Sequence, residues 1–184
     1  IEKLLADTSF RAAAIEINNS DVSIFKDKRL PFDFSTIKPL PTDMLKNLEF
    51  KVNIDSILVK NGFIQYSEHN PKTDKVAIID LPHTQVELTT IKNYDLGPTD
   101  SLRLRATTRL LDSVRISVHH RESYEDTLSG FLFSVRVSPL NLTALNQFLP
   151  EIASAKIISG KLDTLRLRAN AREYIALGYI SMHY

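Results

Sequence analysis

The chain has 184 residues, 43% hydrophobic and 24% charged, with a formal net charge of +1 and no cysteine. That balance excludes a disordered or collagen-like chain. Missing thiols exclude disulfides, cysteine-zinc and iron–sulfur ligation, and a thiol nucleophile. The 17 isoleucines, 9 valines and 13 threonines favour pleated strands over helices, because a branched Cβ restricts χ1 in a helix.

The first dozen residues, with Leu4, Leu5 and Ala6, read as the end of a helix. Ile15 to Ile24 and Ile57 to Tyr66 echo one another at an offset of 42, and each reads as strand, two-residue turn, strand. Asn61-Gly62 is the stronger turn signal, since both residues tolerate positive φ. Leu30 to Pro41 holds three prolines and reads as an extended connector. Thr42-Asp43 starts a short helix through Leu48. Leu81-Pro82-His83 reads as a turn and Gly97-Pro98 as a loop.

From there the apolar period is two. Leu102, Leu104 and Ala106 alternate with Arg103, Arg105 and Thr107. Val114, Ile116 and Val118 alternate with Arg115, Ser117 and His119. Phe131, Phe133, Val135 and Val137 alternate with Leu132, Ser134 and Arg136. Leu165, Leu167 and Ala169 alternate with Arg166, Arg168 and Asn170. Each run has one oily and one wet face, the pattern of a half-solvated antiparallel sheet. Ser129-Gly130 and Ser159-Gly160 mark bends. A second helix spans about 140–149, with Leu142, Leu145 and Leu149 on one side and Pro150 ending it. The expected fold is mainly β and antiparallel: a curled, groove-forming or sandwich-like sheet with two short helices. It forms a single β-rich domain over residues 1–184, with sub-repeats at 11–70 and 74–184.

Catalytic and metal chemistry has little support. His119 and His120 are adjacent, so on a strand they point to opposite faces and cannot chelate one ion together. His69, His83 and His183 stand in no metal-ligand spacing. No G-x-S-x-G or phosphate-binding loop is present, and Glu122, Glu125 and Asp126 read as a solvated hairpin loop. A hydrolase built from scattered acids has no motif behind it. The expectation is no enzyme, no cofactor and no metal.

Two surfaces remain. Lys gives way to Arg after residue 98, and Arg103, Arg105, Arg109, Arg115, Arg136, Arg166, Arg168 and Arg172 fall on the polar phase. This stripe reads as a solvated face balanced by Asp100, Asp112, Asp163 and Glu173. Nucleic acid is not expected, given the small net charge and few interleaved aromatics. The apolar phase comprises Leu102, Leu104, Val114, Ile116, Val118, Phe131, Phe133, Val135, Leu165 and Leu167. It is either an ordinary core or a surface for acyl chains, which gain about 0.8 kcal/mol per buried CH₂.

A resemblance bears on that choice. The run Leu102 to Val118 is similar to the strand–turn–strand of AsmA-like proteins of Bacteroidetes-type bacteria. Ser138 to Asn146 followed by Pro150, Ile158 to Leu165, and Ala176 to Tyr184 follow the order of that family's carboxy-terminal region. Ile57 to Glu68 resembles its hairpin. The resemblance covers about residues 11–184 and carries no catalytic motif. It implies a segment of an inner-membrane-anchored, periplasmic protein of the bridge-like lipid transfer type, tied to outer-membrane biogenesis and phospholipid transport. Phospholipid or another envelope lipid would then be the partner. No apolar run approaches the length of a membrane span. Ile1 is not an initiator residue and no signal-peptide pattern opens the chain. The chain therefore reads as a piece of a longer protein whose anchor lies elsewhere. The other reading is a closed β-sandwich that binds protein or glycan.

Overall fold

The structure, a computed structural model, describes residues 9–31, 39–126, 128, 130–172 and 175–184. The expectations for residues 1–8, for Ser129, and for most of the Leu30–Pro41 connector lie outside these. Eleven strands are present among the described residues: β1 (Ser9–Asn18), β2 (Asp21–Asp27), β3 (Lys51–Asn70), β4 (Lys75–Lys92), β5 (Ser101–Leu110), β6 (Val114–Ser123), β7 (Phe131–Val137), β8 (Leu140–Asn141), β9 (Lys161–Leu162), β10 (Thr164–Arg172) and β11 (Ile175–His183). Helix α1 spans Pro41–Lys46, a 3₁₀ helix Leu142–Gln147, and helix α2 Leu149–Ala153.

Nine strands form one sheet in the order β1-β3-β4-β5-β6-β7-β10-β11, with β2 beside the far half of β3. The β8–β9 ribbon stands apart. From β3 to β11 every pairing is antiparallel, the arrangement in which one oily and one wet face commonly occur. The sheet is not closed into a barrel: β1 and β2 edge one side and β11 the other. The mainly β, mostly antiparallel architecture is as expected, and an unclosed sheet agrees with the curled form.

The echo at offset 42 has a different meaning from a repeated hairpin. β1 and β2 lie end to end along β3, parallel to it, with Ile15 opposite Ile57 and Val22 opposite Ile64. Both pairings run at that same offset, so the repeat is the register. Asn61-Gly62 is therefore not a hairpin turn, and β3 runs through it for 20 residues. Asn19 and Asn61, at φ 55° and 53°, make matched jogs in neighbouring strands. Asn61 Nδ2 donates to Asn19 Oδ1 at 2.7 Å, and the Phe63 amide to the Ser20 carbonyl at 2.8 Å. Gly62 is needed because a Cβ there would stand 2.9 Å from Ser20 Oγ and 3.3 Å from the Thr84 carbonyl oxygen.

Other expectations are corrected. Residues 9–12 belong to β1 rather than to a helix end. His83, at φ 54°, sits in a bulge inside β4 rather than in a turn between strands. Pro82 is tolerated there because the β3–β4 ladder skips from Leu81 to Thr84. The helix expected over 140–149 is split into β8, the 3₁₀ helix and α2. Pro150 sits in the first turn of α2, where its missing N–H costs no hydrogen bond, so it begins a helix instead of ending one.

Two clusters form the core, both on the apolar side of the sheet. One joins Val52, Ile54, Ile91, Leu102 and Tyr124, with Leu45 of α1 packed against it. Thr90, at φ 62°, sits between Leu88 and Ile91, and both reach this cluster although their numbers differ in parity. The other joins Val114, Leu140 and Leu162, with Leu142, Ala144 and Leu145 packed against it.

Candidate functional site: two faces of one sheet

Strand register places the ten expected apolar residues on one face. Ala106 pairs with Val118, Val118 with Val135, and Val135 with Leu167. The row continues to Ile180 on β11, and the other way through Val86 and Val59 to Ile17 on β1. Eight strands thus carry one unbroken apolar row, about 34 Å long at ~4.8 Å per strand. Its six inner members, Val59 to Leu167, are half-buried. Leu104, Ile116, Phe131, Phe133 and Leu165 are half-buried beside it, whereas Leu102 and Val114 are buried in the two clusters that flank the row toward opposite ends of the strands.

One polar constellation interrupts the next row. His120 stands between Leu104 and Phe133, its ring 5.2 Å from that of Phe131 and 6.2 Å from that of Phe133. Its Nε2 lies 2.5 Å from Glu122 Oε1, and Glu122 is wholly buried. The other carboxylate oxygen accepts from the Thr42 amide at 2.8 Å, fixing the start of α1 over the sheet. Burial pushes the Glu122 carboxyl up, but hydrogen bonds from His120 and Thr42 outweigh it and hold the group below its ordinary value. Nearby, Tyr124 donates to the Thr90 carbonyl at 2.5 Å, and burial raises its phenol.

Glu122 is thus not part of a solvated loop with Glu125 and Asp126. The even phase from Val114 through His120 ends on Glu122, and that phase was the available signal. His120 and His119 do point to opposite faces, as adjacency required. Among the described residues no group of three or more His, Asp or Glu could hold a metal ion.

The opposite face carries all nine arginines of residues 99–184, Arg121 included, and all nine are exposed. Arg103 stands directly opposite Arg121, Arg109 opposite Arg115, and Arg136 opposite Arg166. The acids expected to balance them do not. Asp100 pairs with Lys92 at 2.5 Å, Asp163 lies 3.9 Å from Lys161, and Arg109 reaches the carbonyl of Asp112 rather than its carboxylate. Glu173 lies outside the described residues. The partners present are Glu87, 3.6 Å from Arg105, and Asp126, 3.6 Å from Arg172. Arg103, Arg115, Arg136, Arg166 and Arg168 make no side-chain hydrogen bond or ion pair among the described residues.

No protein-family model, curated protein or solved structure matches this chain. No helix of the described residues is long and apolar enough to cross a membrane.

Proposed function

We propose that this domain is a non-catalytic, lipid-binding segment of an AsmA-like protein of the bacterial envelope, working in the periplasm beneath an inner-membrane anchor outside this sequence. Lipid lies along the apolar face, and the protein serves phospholipid transport and outer-membrane biogenesis. The observation that supports this reading is the eight-strand apolar row. Its six inner members are half-buried, and α1 and the 3₁₀ helix with β8–β9 pack instead on the two clusters that flank the row toward opposite ends of the strands. A monomer that needed only a core would cover such a strip, because exposed contiguous apolar surface is costly in water.

An acyl chain on the row replaces water without requiring a polar partner. A charge placed there loses its hydration and gains no compensating bond. The test is binding of monomeric phosphatidylcholine, which carries no net charge, with a fluorophore on its acyl chain. Ile116→Asp and Phe133→Asp should weaken binding by at least about tenfold, while Arg136→Ala leaves it unchanged. A thermal melt on each variant separates lost binding from lost folding. A folded Phe133→Asp protein that binds as the parent does contradicts the proposal.

A further inference from the structure

We infer that the arginine face is a second binding surface, which docks on the phosphate headgroups of an anionic phospholipid bilayer. The inference does not rest on lipid occupying the apolar face, since the two surfaces lie on opposite sides of the sheet.

The first argument is cost. Like charges directly opposite across an antiparallel ladder are destabilising. Three such arginine pairs stand on four adjacent strands, and five of the arginines have no partner among the described residues. Folding gains nothing from that arrangement; an external polyanion does.

The second argument is chemistry. Arginine's planar fork binds phosphate oxygens in pairs, and its weak hydration lowers the cost of contact. Arg103, Arg105, Arg121 and Arg168 surround a shallow depression of about 560 Å³ with His119 and Ser134. Alternate residues on a strand and neighbours across strands give cationic spacings of roughly 5–7 Å, so the face offers a grid of charge rather than one deep anion pocket.

The third argument separates a membrane from nucleic acid. Across β5, β6, β7 and β10 this face carries no Phe, Tyr or Trp, and among the described residues there His119 is the one ring on which a base could stack, too few for a stacking platform. Its exposed apolar members are Leu132 at its centre, 50% exposed, and Ile175, Leu177 and Tyr179 along β11. Basic residues edged by aliphatic side chains and a tyrosine suit a headgroup boundary, where charge meets phosphate and apolar tips enter the interface.

The experiment is co-sedimentation with vesicles of phosphatidylcholine alone and of phosphatidylcholine mixed with phosphatidylglycerol. Expected are binding to the mixed vesicles only and its loss in high salt. Arg103→Gln/Arg121→Gln/Arg168→Gln should lower partitioning about a hundredfold at low salt, near fivefold per charge. Lys26→Gln/Lys46→Gln/Lys156→Gln removes the same net charge elsewhere and should bind as the parent does. A second face variant, Arg136→Gln/Arg166→Gln, should lose about 25-fold and covers the case in which the triple variant misfolds. Equal losses in the lysine and arginine variants, or equal binding to both kinds of vesicle, overturn the inference. So does tighter binding to a single-stranded oligonucleotide than to the mixed vesicles.

Discussion

The carboxylate of Glu122 shows how one residue ties sequence, packing and pH response together. It sits on the apolar phase of β6, wholly buried, and holds both His120 and the start of α1. Removing it strands a part-buried imidazole and the buried Thr42 amide, so Glu122→Ala should cost about 3 kcal/mol in urea unfolding followed by far-ultraviolet circular dichroism. Its pKa is depressed in the folded state, so its contribution is present above the unfolded value. The contribution is lost as pH falls through the folded value. The parent should therefore lose melting temperature below about pH 4.5. Glu122→Gln should start less stable and show a shallower decline over that range. Parallel pH profiles of parent and variant contradict this account. In sequence Glu122 is one of three acids in five residues, and only the parity of the strand before it marks it as inward-facing.

At the scale of elements, the sheet's ladders were legible because alternation is a local signal, and every antiparallel run from Leu102 onward keeps its phase. The jogs were not. Asn-Gly tolerates positive φ in a hairpin and in a bulge alike, and the choice is made by β1 and β2, which hydrogen-bond along both halves of β3. The offset of 42 did not decide it, since two copies of a hairpin and two strands lying in parallel register along a third share the same spacing. Gly62→Val should cost about 1–3 kcal/mol by thermal melt, because the added methyls meet Ser20 and the Thr84 carbonyl. A variant as stable as the parent contradicts the close approach. The split helix follows the same logic: Pro150 suits either a helix end or a first turn, and only the packing of α2 on β3 decides. Asn70 Nδ2 donates to the carbonyls of Glu151 and Ile152 at 2.8 and 2.7 Å and fastens that helix. The β11 edge is unpaired among the described residues and apolar on both faces, with Leu177 74% exposed and Ile180 66%. Such an edge invites pairing between chains. Leu177→Lys should reduce concentration-dependent association measured by light scattering, and unchanged scattering contradicts that role.

Over the whole molecule, the accessible surface of 12626 Å² exceeds the roughly 9000 Å² expected for a compact chain of 20.9 kDa. An open sheet accounts for the excess, because each face has little above it between the two clusters. Which residues share a face could be read from parity alone. Which face is neutralised could not, because Asp100 turns to Lys92 across the loop after β4 and Asp163 to Lys161 two residues away, choices that strand parity does not encode. Openness was equally hidden, since a closed core and a lipid-lined strip have the same alternation. The central claim is that lipid runs along the apolar row. A phospholipid with a photoactivatable group on its acyl chain, cross-linked to the domain and mapped by mass spectrometry, tests it most directly. Adducts should concentrate on Val86, Ala106, Val118, Val135 and Leu167. Adducts confined to the arginine face, or scattered equally over both faces, contradict the account.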